Sequence, residues 1–398
     1  MKYKLLSSIF YSDNENYETF YKNRFNSEST YKFNFKVGNY NSFVVINHEI
    51  LQRVERVIEM DKQLLLQLKS VPIIAIDQYT KKCLIDEIKM TNEIEGVNST
   101  RKEINDILND KTDKKKQERL YGLVKKYEML LYEDIKLETC KDIRNLYDEL
   151  VLKEVVKEDS SNEPDGNIFR KNKVYVQSPT GNIIHSGVYP EDKITESMSQ
   201  CLNILKNEEY NFLIRIAVFH YMFGYIHPFY DGNGRTSRFI SSYLLSRKLQ
   251  HLVSYRLSYT VKENIKSYHK IFKVVNDEKN RGDITYFVIK FFDILIESIN
   301  DLCTSLNERY NKLKYFRSII NNMSEDEKIK SILFVLIQNT LFGDSGLSVS
   351  EICEISKVGN SKVRKALKDL KDKGVLLIEK DGRKYMYDIN LDKITNYS

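Results

Sequence analysis

The stretch HPFYDGNGRTSR, His227 to Arg238, gathers a histidine, an aspartate, two glycines flanking an asparagine, and two arginines into twelve residues. Before it, Asn211 to Ile226 is strongly apolar and reads as a buried helix. After it, a second helix is predicted from near Arg235 to about Arg247. The quoted stretch is therefore a glycine-rich loop between two helices. The N–H groups that open a helix lack intrahelical acceptors and carry partial positive charge. Glycines let that backbone approach a ligand without side-chain clashes. Gly232, Asn233, Gly234 and Arg235 thus read as a phosphate cradle. Arg235 and Arg238 lie three apart, on one helix face, and suit several phosphates rather than one. Asp231 is a hard oxygen ligand beside the cradle and suits Mg²⁺ shared with phosphate oxygens. His227 can take a proton from an incoming hydroxyl. Phe229 is expected to plug the loop into the core. Each feature alone is common in a purely structural role; their combination within one loop is specific.

The rest of the chain bounds this reading. Its 398 residues imply two or three domains, and 41% hydrophobic residues suffice for a sizeable core. Five prolines and fifteen glycines, with abundant Lys, Glu, Leu and Ile, predict a mostly α-helical protein. No apolar run is long enough for a membrane span, and the N-terminus does not read as a secretory signal. Cys83, Cys140, Cys201, Cys303 and Cys353 are odd in number and scattered, which predicts reduced thiols in a cytoplasmic protein. The net charge of +6 is mild and does not by itself imply nucleic acid.

Along the chain, residues 1 to about 49 are predicted irregular or briefly extended, with short alternating runs YKFNFKV and SFVVIN. Helical periodicity begins at Glu49, Pro72 punctuates, and a second helix is predicted over Ile76 to Glu95, closed by Gly96. Thr100 and Glu103 form a capping-box signature for the next helix. A polar break spans Lys157 to Asn167. Two β-rich runs then flank Ser178 to Asn182, predicting a hairpin that is nearly the only strand pair before the C-terminus. Helices resume from Pro190 and reach about Ser318.

The last 75 or so residues look separate. A short helix over Ser350 to Ser356, a turn at Val358 to Asn360, and a helix capped by Ser361 and ending at Gly374 precede a hairpin. That hairpin pairs VLLIEK with KYMYDI around Asp381-Gly382. Helix, turn, helix and two-stranded wing is the layout of a winged helix. Lys362, Arg364, Lys365, Lys368, Lys371 and Lys373 on the second helix, with Lys380, Arg383 and Lys384 on the wing, suit contacts to DNA phosphates. A protein-docking module with lysines for solubility is the alternative.

HPFYDGNGRTSR resembles the signature of the Fic (filamentation induced by cAMP) family, His-x-Phe-x-Asp/Glu-Gly-Asn-Gly-Arg-x-x-Arg, at every specified position. GNIFRKNKVYV is similar to the family's lead into a hairpin called the flap. Tyr268, His269 and Asn276 stand where similar proteins carry a tyrosine pair and an asparagine near the adenine, with His269 in place of the second tyrosine. The resemblance covers roughly Ile76 to Phe292. It implies transfer of AMP from ATP to a protein hydroxyl. His227 would then be the general base, and Asp231 would hold Mg²⁺ at the α- and β-phosphates. Asn233, Gly234 and Arg235 would form the anion hole, with Gly232 in the same loop, and Arg238 would meet the γ-phosphate. Val174, Tyr175, Val176 and Gln177 would belong to the flap that registers the target chain by strand addition.

Upstream, Thr91-Asn-Glu-Ile-Glu95-Gly96 resembles the family's inhibitory motif, Ser/Thr-x-x-x-Glu-Gly/Asn. Thr91 and Glu95 share a helix face, whereas Glu93 points about 200° away. The resemblance sets Glu95 against Arg238, in the position that the γ-phosphate needs. The expectation is a mostly α, Fic-type helical core with a β-hairpin flap and a C-terminal winged helix. It divides into residues 1–110 with the inhibitory helix, a catalytic core at 111–318 and the winged helix at 319–398. The expected partners are ATP and a target protein or the chain itself, with DNA at the winged helix and no membrane. Homodimerisation is left open. So are AMP removal, transfer from another nucleotide donor, and a DNA-binding regulator with a Fic-type sensor core.

Overall fold

The computed structural model describes residues 2–110, 114–116, 118–177, 183–323, 326–382 and 384–394. They form a mostly helical protein with small antiparallel sheets, each of two strands. Two compact units divide the chain: Met1–Lys62 with Leu84–Asn300, and Gln63–Cys83 with Asp301–Ser398. No helix among the described residues is long and apolar enough to cross a membrane.

The first unit is built around the Phe212–Ile226 helix, which is apolar on nearly every side and buried from Leu213 through Ile226 with few breaks. A helix hydrophobic all round must be enclosed by others. The Glu191–Lys206 and Asn233–Ser246 helices pack against it. Asn211 caps its start by accepting hydrogen bonds from the N–H groups of Leu213 (3.0 Å) and Ile214 (3.4 Å). Tyr221, Phe272 and Phe287 extend the core, with Tyr221 stacked on Phe272 at 5.9 Å.

The Ile73–Ile94 helix starts directly after Pro72, three residues before the predicted Ile76, and ends one residue before the predicted Glu95, with Gly96 in the left-handed region at φ 77°. The Val97 N–H donates back to the Asn92 carbonyl (3.0 Å), closing the last turn. Thr100 does cap the Arg101–Leu108 helix, accepting from the Glu103 N–H. Glu103, expected to reach back and complete a capping box, instead pairs with Arg119 at 3.1 Å.

The N-terminus departs from expectation. Residues Leu6–Ser12 and Asn14–Asn26 are helical, and the two alternating runs pair as strands Thr30–Val37 and Tyr40–Val45. An earlier hairpin therefore joins the one predicted at 174–188. These helices carry a narrow apolar face, which Leu6, Ile9, Tyr17 and Phe43 bury together with Phe10, Tyr21 and Phe25. Tertiary packing supplies the order that local periodicity does not announce.

In the predicted flap, Tyr175–Gln177 pairs antiparallel with Ile183–Ser186. The turn expected at Ser178 to Asn182 lies outside the described residues.

In the second unit, the Glu327–Phe342 helix was not anticipated; Asp326 caps it through the Lys328 N–H (2.9 Å). Val349–Ser356 and Asn360–Asp372 are helical, and Leu376–Asp381 pairs antiparallel with Lys384–Ile389. Gly359, not Ser361, occupies the cap position of the Asn360–Asp372 helix, so Ser361 sits inside its first turn. Arg383, expected at the tip of the hairpin, lies outside the described residues.

Candidate active site

The apolar helix ends at His227, whose backbone is left-handed at φ 52°. That conformation turns the chain sharply into the loop. Phe229 is fully buried and stacks on Tyr147 at 3.6 Å, with Phe169 edge-on at 5.6 Å, as expected for a plug into the core. The Asn233 amide closes the loop, accepting from the Phe229 N–H (2.9 Å) and donating to the Phe229 carbonyl (2.9 Å). Gly232 precedes the Asn233–Ser246 helix at φ 76°, where a Cβ would press on Val151 at 2.9 Å. Only glycine suits both the angle and the space. The helix therefore opens at Asn233, Gly234 and Arg235, whose N–H groups have no acceptor within the helix itself.

A carboxylate already sits on this helix start. Glu95, 143 positions upstream of Arg238, contacts the opening residues: a Cβ on Gly234 would collide with its Oε1. The same Oε1 accepts from Arg238 Nη2 at 2.7 Å. Arg238 is buried and makes two further bonds, from Nε to Thr91 Oγ1 (2.9 Å) and from Nη2 to the Thr91 carbonyl (2.9 Å). Burial works to raise the Glu95 carboxyl, but Arg238 first, with Arg235 and His227, holds it below the ordinary range. Glu93 faces away, toward Lys89 at 3.3 Å.

Arg235 behaves differently from Arg238. Its guanidinium is wholly buried and donates from Nη1 to Glu154 Oε2 at 2.5 Å. Asp231 lies 3.8 Å from its Nη2. What Arg235 presents at the helix start is thus its backbone N–H; the expected pair of guanidinium groups side by side is not formed, since Arg235 is engaged by Glu154 and only Arg238 meets Glu95. Arg235 Nε and Nη2, Glu154 Oε1 and the Tyr147 hydroxyl are buried with no hydrogen-bond partner among the described residues. Glu154 belongs to the Lys153–Glu158 helix, which continues a π-helical turn over Asp148–Leu152. Its place between lysines in KEVVKE reads as solvated surface, so the sequence gives no sign of it.

Burial drives the His227 imidazole down to about 4; Glu95 opposes this, and Arg170 and His185 reinforce it. The ring is therefore neutral at pH 7 and able to accept a proton. Asp231 is 37% exposed in its side chain. No cluster of three or more His, Cys, Asp or Glu that could hold a metal exists among the described residues.

Tyr268 is buried and hydrogen-bonds His220 Nε2 at 2.7 Å, while His220 Nδ1 meets Ser241 Oγ at 2.8 Å. Ser241 spends its own proton on the Ser237 carbonyl (2.8 Å), so His220 must donate from Nδ1 and accept from Tyr268. His269 is half-buried, and burial holds its imidazole below the ordinary value, with Glu95 opposing and Arg238 reinforcing. Asn276 accepts from the Tyr221 hydroxyl at 2.6 Å. In the hairpin, Tyr175 opposes Ser186 and Val176 opposes His185, while Gln177 opposes Ile183. The Val174 carbonyl accepts from the Gly187 N–H at 3.1 Å. Tyr175 is 52% exposed.

Sequence reasoning also missed Arg170 and Glu87. Arg170 is fully buried beneath the loop. Glu87 lies inside the Ile73–Ile94 helix that leads to Glu95, and burial raises its carboxyl to about 7. It accepts from the Ser258 N–H at 2.7 Å.

Residues 138–245 match the family model described as the Fic/DOC family, so the chain carries a Fic/DOC-family domain. Over 127 residues it is 35% identical to a Drosophila mojavensis protein named Protein adenylyltransferase Fic, covering 31% of this chain and 22% of that protein. Over 124 residues it is 32% identical to the Drosophila melanogaster protein of the same name, covering 31% and 23%. The chain thus spans under a quarter of the length of these curated relatives. A crystal structure of a Fic family protein from Desulfovibrio desulfuricans G20 is similar in fold, with a TM-score of 0.51 at 16% identity, over 87% of this chain and 97% of that one.

Proposed function

We propose that this chain transfers AMP from ATP to a hydroxyl of a protein, and that Glu95 holds it off. The observation that carries the reading is a convergence: Glu95 and Arg238 meet over Gly234, at a helix start whose N–H groups favour an anion, below a histidine that is neutral at pH 7. In the reaction, the target oxygen bonds to the α-phosphorus as its proton passes to His227. The bond from that phosphorus to the bridging oxygen breaks, and its electron pair leaves with pyrophosphate. Positioning and charge stabilisation supply the catalysis. Asn233, Gly234 and Arg235 offer backbone N–H groups to the phosphates, and Arg238 offers its guanidinium to the γ-phosphate once Glu95 withdraws. Tyr268, His269 and Asn276 face the adenine, and the hairpin from Val174 receives the target backbone.

Asp231 is a lone, partly exposed carboxylate, which suits Mg²⁺, a cation that keeps several waters and takes most other ligands from phosphates. When bound there, Mg²⁺ would neutralise charge on the α- and β-phosphates. Incubating the purified chain and its Glu95→Gly variant with labelled ATP and Mg²⁺ tests the proposal. A mass gain of one AMP on a hydroxyl residue of the chain or of a lysate protein is expected. Absence of label from both proteins overturns it.

A second reading concerns residues 319–398 as a DNA-binding winged helix. The Asn360–Asp372 helix buries Val363, Ala366, Leu367 and Leu370 and exposes Arg364, Lys365, Lys368 and Lys371 on the opposite side, with Asp369 and Asp372 exposed among them. Lys362 instead pairs with Asp326 at 2.6 Å. An apolar face against the module and an outward face on which basic residues outnumber acidic ones support phosphate contact.

A further inference from the structure

Arg170 carries an unusual load. It is one of the largest wholly buried side chains in the protein, and its four acceptors are all backbone carbonyls. Nε donates to His227 O (2.9 Å) and Nη1 to Asn172 O (2.6 Å). Nη2 donates to Val188 O (2.8 Å) and to Ile226 O (3.4 Å). Asn172 and Val188 flank the hairpin on either side; Ile226 and His227 end the apolar helix. One rigid fork therefore ties both legs of the hairpin to the residue that precedes the glycine loop.

Neighbouring contacts reinforce the junction. The Arg170 N–H donates to the Pro228 carbonyl (3.3 Å), and the Val188 N–H donates to the Ile226 carbonyl (3.0 Å). Gly187 lies so close that a Cβ there would stand 2.6 Å from Arg170 Nη2 and 3.2 Å from His227 Cβ. The left-handed backbone of His227 is a conformation that a non-glycine residue holds only when its surroundings over-determine it. The hydrogen bond to its carbonyl is one such restraint. Lysine cannot replace this arrangement, because an ammonium is a point donor without the planar fork.

We infer that Arg170 is a positioning residue that holds the His227 backbone in its left-handed turn and fixes the hairpin to it, so that target strand and proton acceptor keep one spacing. The inference rests on the proposed AMP transfer for its catalytic consequence only; the junction itself is a matter of geometry. A second effect accompanies it. The titratable groups that act on the His227 ring are Glu95, Arg170 and His185, and Arg170 disfavours the imidazolium. Fork and charge can be separated by substitution: Arg170→Lys keeps the charge and loses the fork, and Arg170→Met loses both.

The test uses the full chain in three forms, wild type, Arg170→Lys and Arg170→Met, each also with Glu95→Gly. Hydrogen exchange by mass spectrometry at Gly187 and Val188 should quicken at least tenfold in Arg170→Lys, while the Phe212–Ile226 helix keeps its protection. Carbon-13 labelled histidine signals, with His227 assigned by its alanine variant, should titrate higher in Arg170→Met and near the wild-type value in Arg170→Lys. In the Glu95→Gly background, kcat for AMP transfer in Arg170→Lys should fall by about 10²-fold, the scale of a misplacement near 1 Å. Its KM for ATP should hold. Unchanged exchange at Gly187 and Val188 overturns the inference, whatever the activity. If the Glu95→Gly protein carries no label at all, the AMP-transfer reading fails instead, and exchange and titration still decide the role of Arg170.

Discussion

Replacing Glu95 with glycine removes the carboxylate and leaves the rest of its surroundings in place. Arg238 keeps Thr91 Oγ1 and the Thr91 carbonyl, both at 2.9 Å, so the guanidinium does not lose its pose with the carboxylate. What is lost is one charge-assisted hydrogen bond of 2.7 Å to a carboxylate 26% exposed in its side chain. Such a bond contributes about 1.5–3 kcal/mol net. If that energy is what an ATP γ-phosphate must displace to reach Arg238, removing it raises the productive fraction roughly 10- to 150-fold, at about 1.4 kcal/mol per decade. The assay is incorporation of labelled AMP, wild type beside Glu95→Gly, at matched protein and saturating ATP. Adding Arg238→Ala to Glu95→Gly should abolish the gain, because the arginine is then missing for ATP as well. Thr91→Ala should release less than Glu95→Gly. Equal or lower incorporation by Glu95→Gly refutes the reasoning, and AMP removal with Glu95 orienting a water then becomes the better account.

His227→Ala in the Glu95→Gly background should lose about 10²- to 10⁴-fold of the transfer rate. Undiminished labelling by the folded variant removes His227 from the mechanism. With the imidazole at about 4 and Glu95 the group that raises it, the acid limb of Glu95→Gly should lie at or below about pH 4, with no loss from His227 near neutrality. Initial rates across pH measure it. Glu87 carries a folded-state carboxyl near 7 against an ordinary 4.5, so the folded protein binds this proton more tightly than the unfolded chain. The sign is that stability falls as pH rises from the ordinary value through 7, by up to about 3 kcal/mol for this group. Thermal melts of Glu87→Gln should lack that part of the pH dependence, and identical slopes in both proteins contradict the assignment. Changing Arg364, Lys365 and Lys368 to glutamate should weaken DNA binding, and wild-type binding should fall steeply with salt. A gel shift showing none at low salt favours a docking module.

Most of the helical scaffold was legible because its elements announce themselves by period and punctuation. Pro72 and Gly96 bound one helix, and Asn211 caps another whose composition alone says it is enclosed. The loop from His227 to Arg238 was legible because its chemistry is contiguous in sequence. Glu95 was legible only through its resemblance to a second motif, since nothing local tells a carboxylate that its partner lies 143 residues away. Glu154 and Arg170 were not legible for two different reasons. Glu154 sits among lysines and looks solvated, yet packs against Arg235 in the interior. Arg170 bonds to carbonyl oxygens, which every residue possesses and no residue type signals. The N-terminal helices were missed because their apolar faces are narrow. They rest on aromatic contacts such as Phe25 on Phe43 (5.3 Å) and on Arg281 over Tyr17 (4.7 Å) and Tyr21 (5.0 Å).

The position of Glu95 on its helix bears on how the block would be lifted. It is one residue beyond the last helical residue, Ile94, and its own N–H bonds to the Asn92 carbonyl at 3.0 Å. Thr91 lies a full turn inside the same helix and is completely buried. The two contacts on Arg238 therefore differ in mobility: the Thr91 pair belongs to the packed helix, and the Glu95 contact to its terminal turn. Helix ends open locally at much lower free energy than helix interiors. Withdrawing Glu95 requires only that the turn through Gly96 and Val97 loosen, with Thr91 still gripping Arg238. An anion arriving at Gly234 thus meets a guanidinium already oriented, and competes for a single hydrogen bond rather than for the whole helix. For that reason substitutions that loosen the terminal turn alone, such as Gly96→Val in its left-handed position, belong with Glu95→Gly in their effect, whereas substitutions at Thr91 disturb the arginine that ATP itself needs.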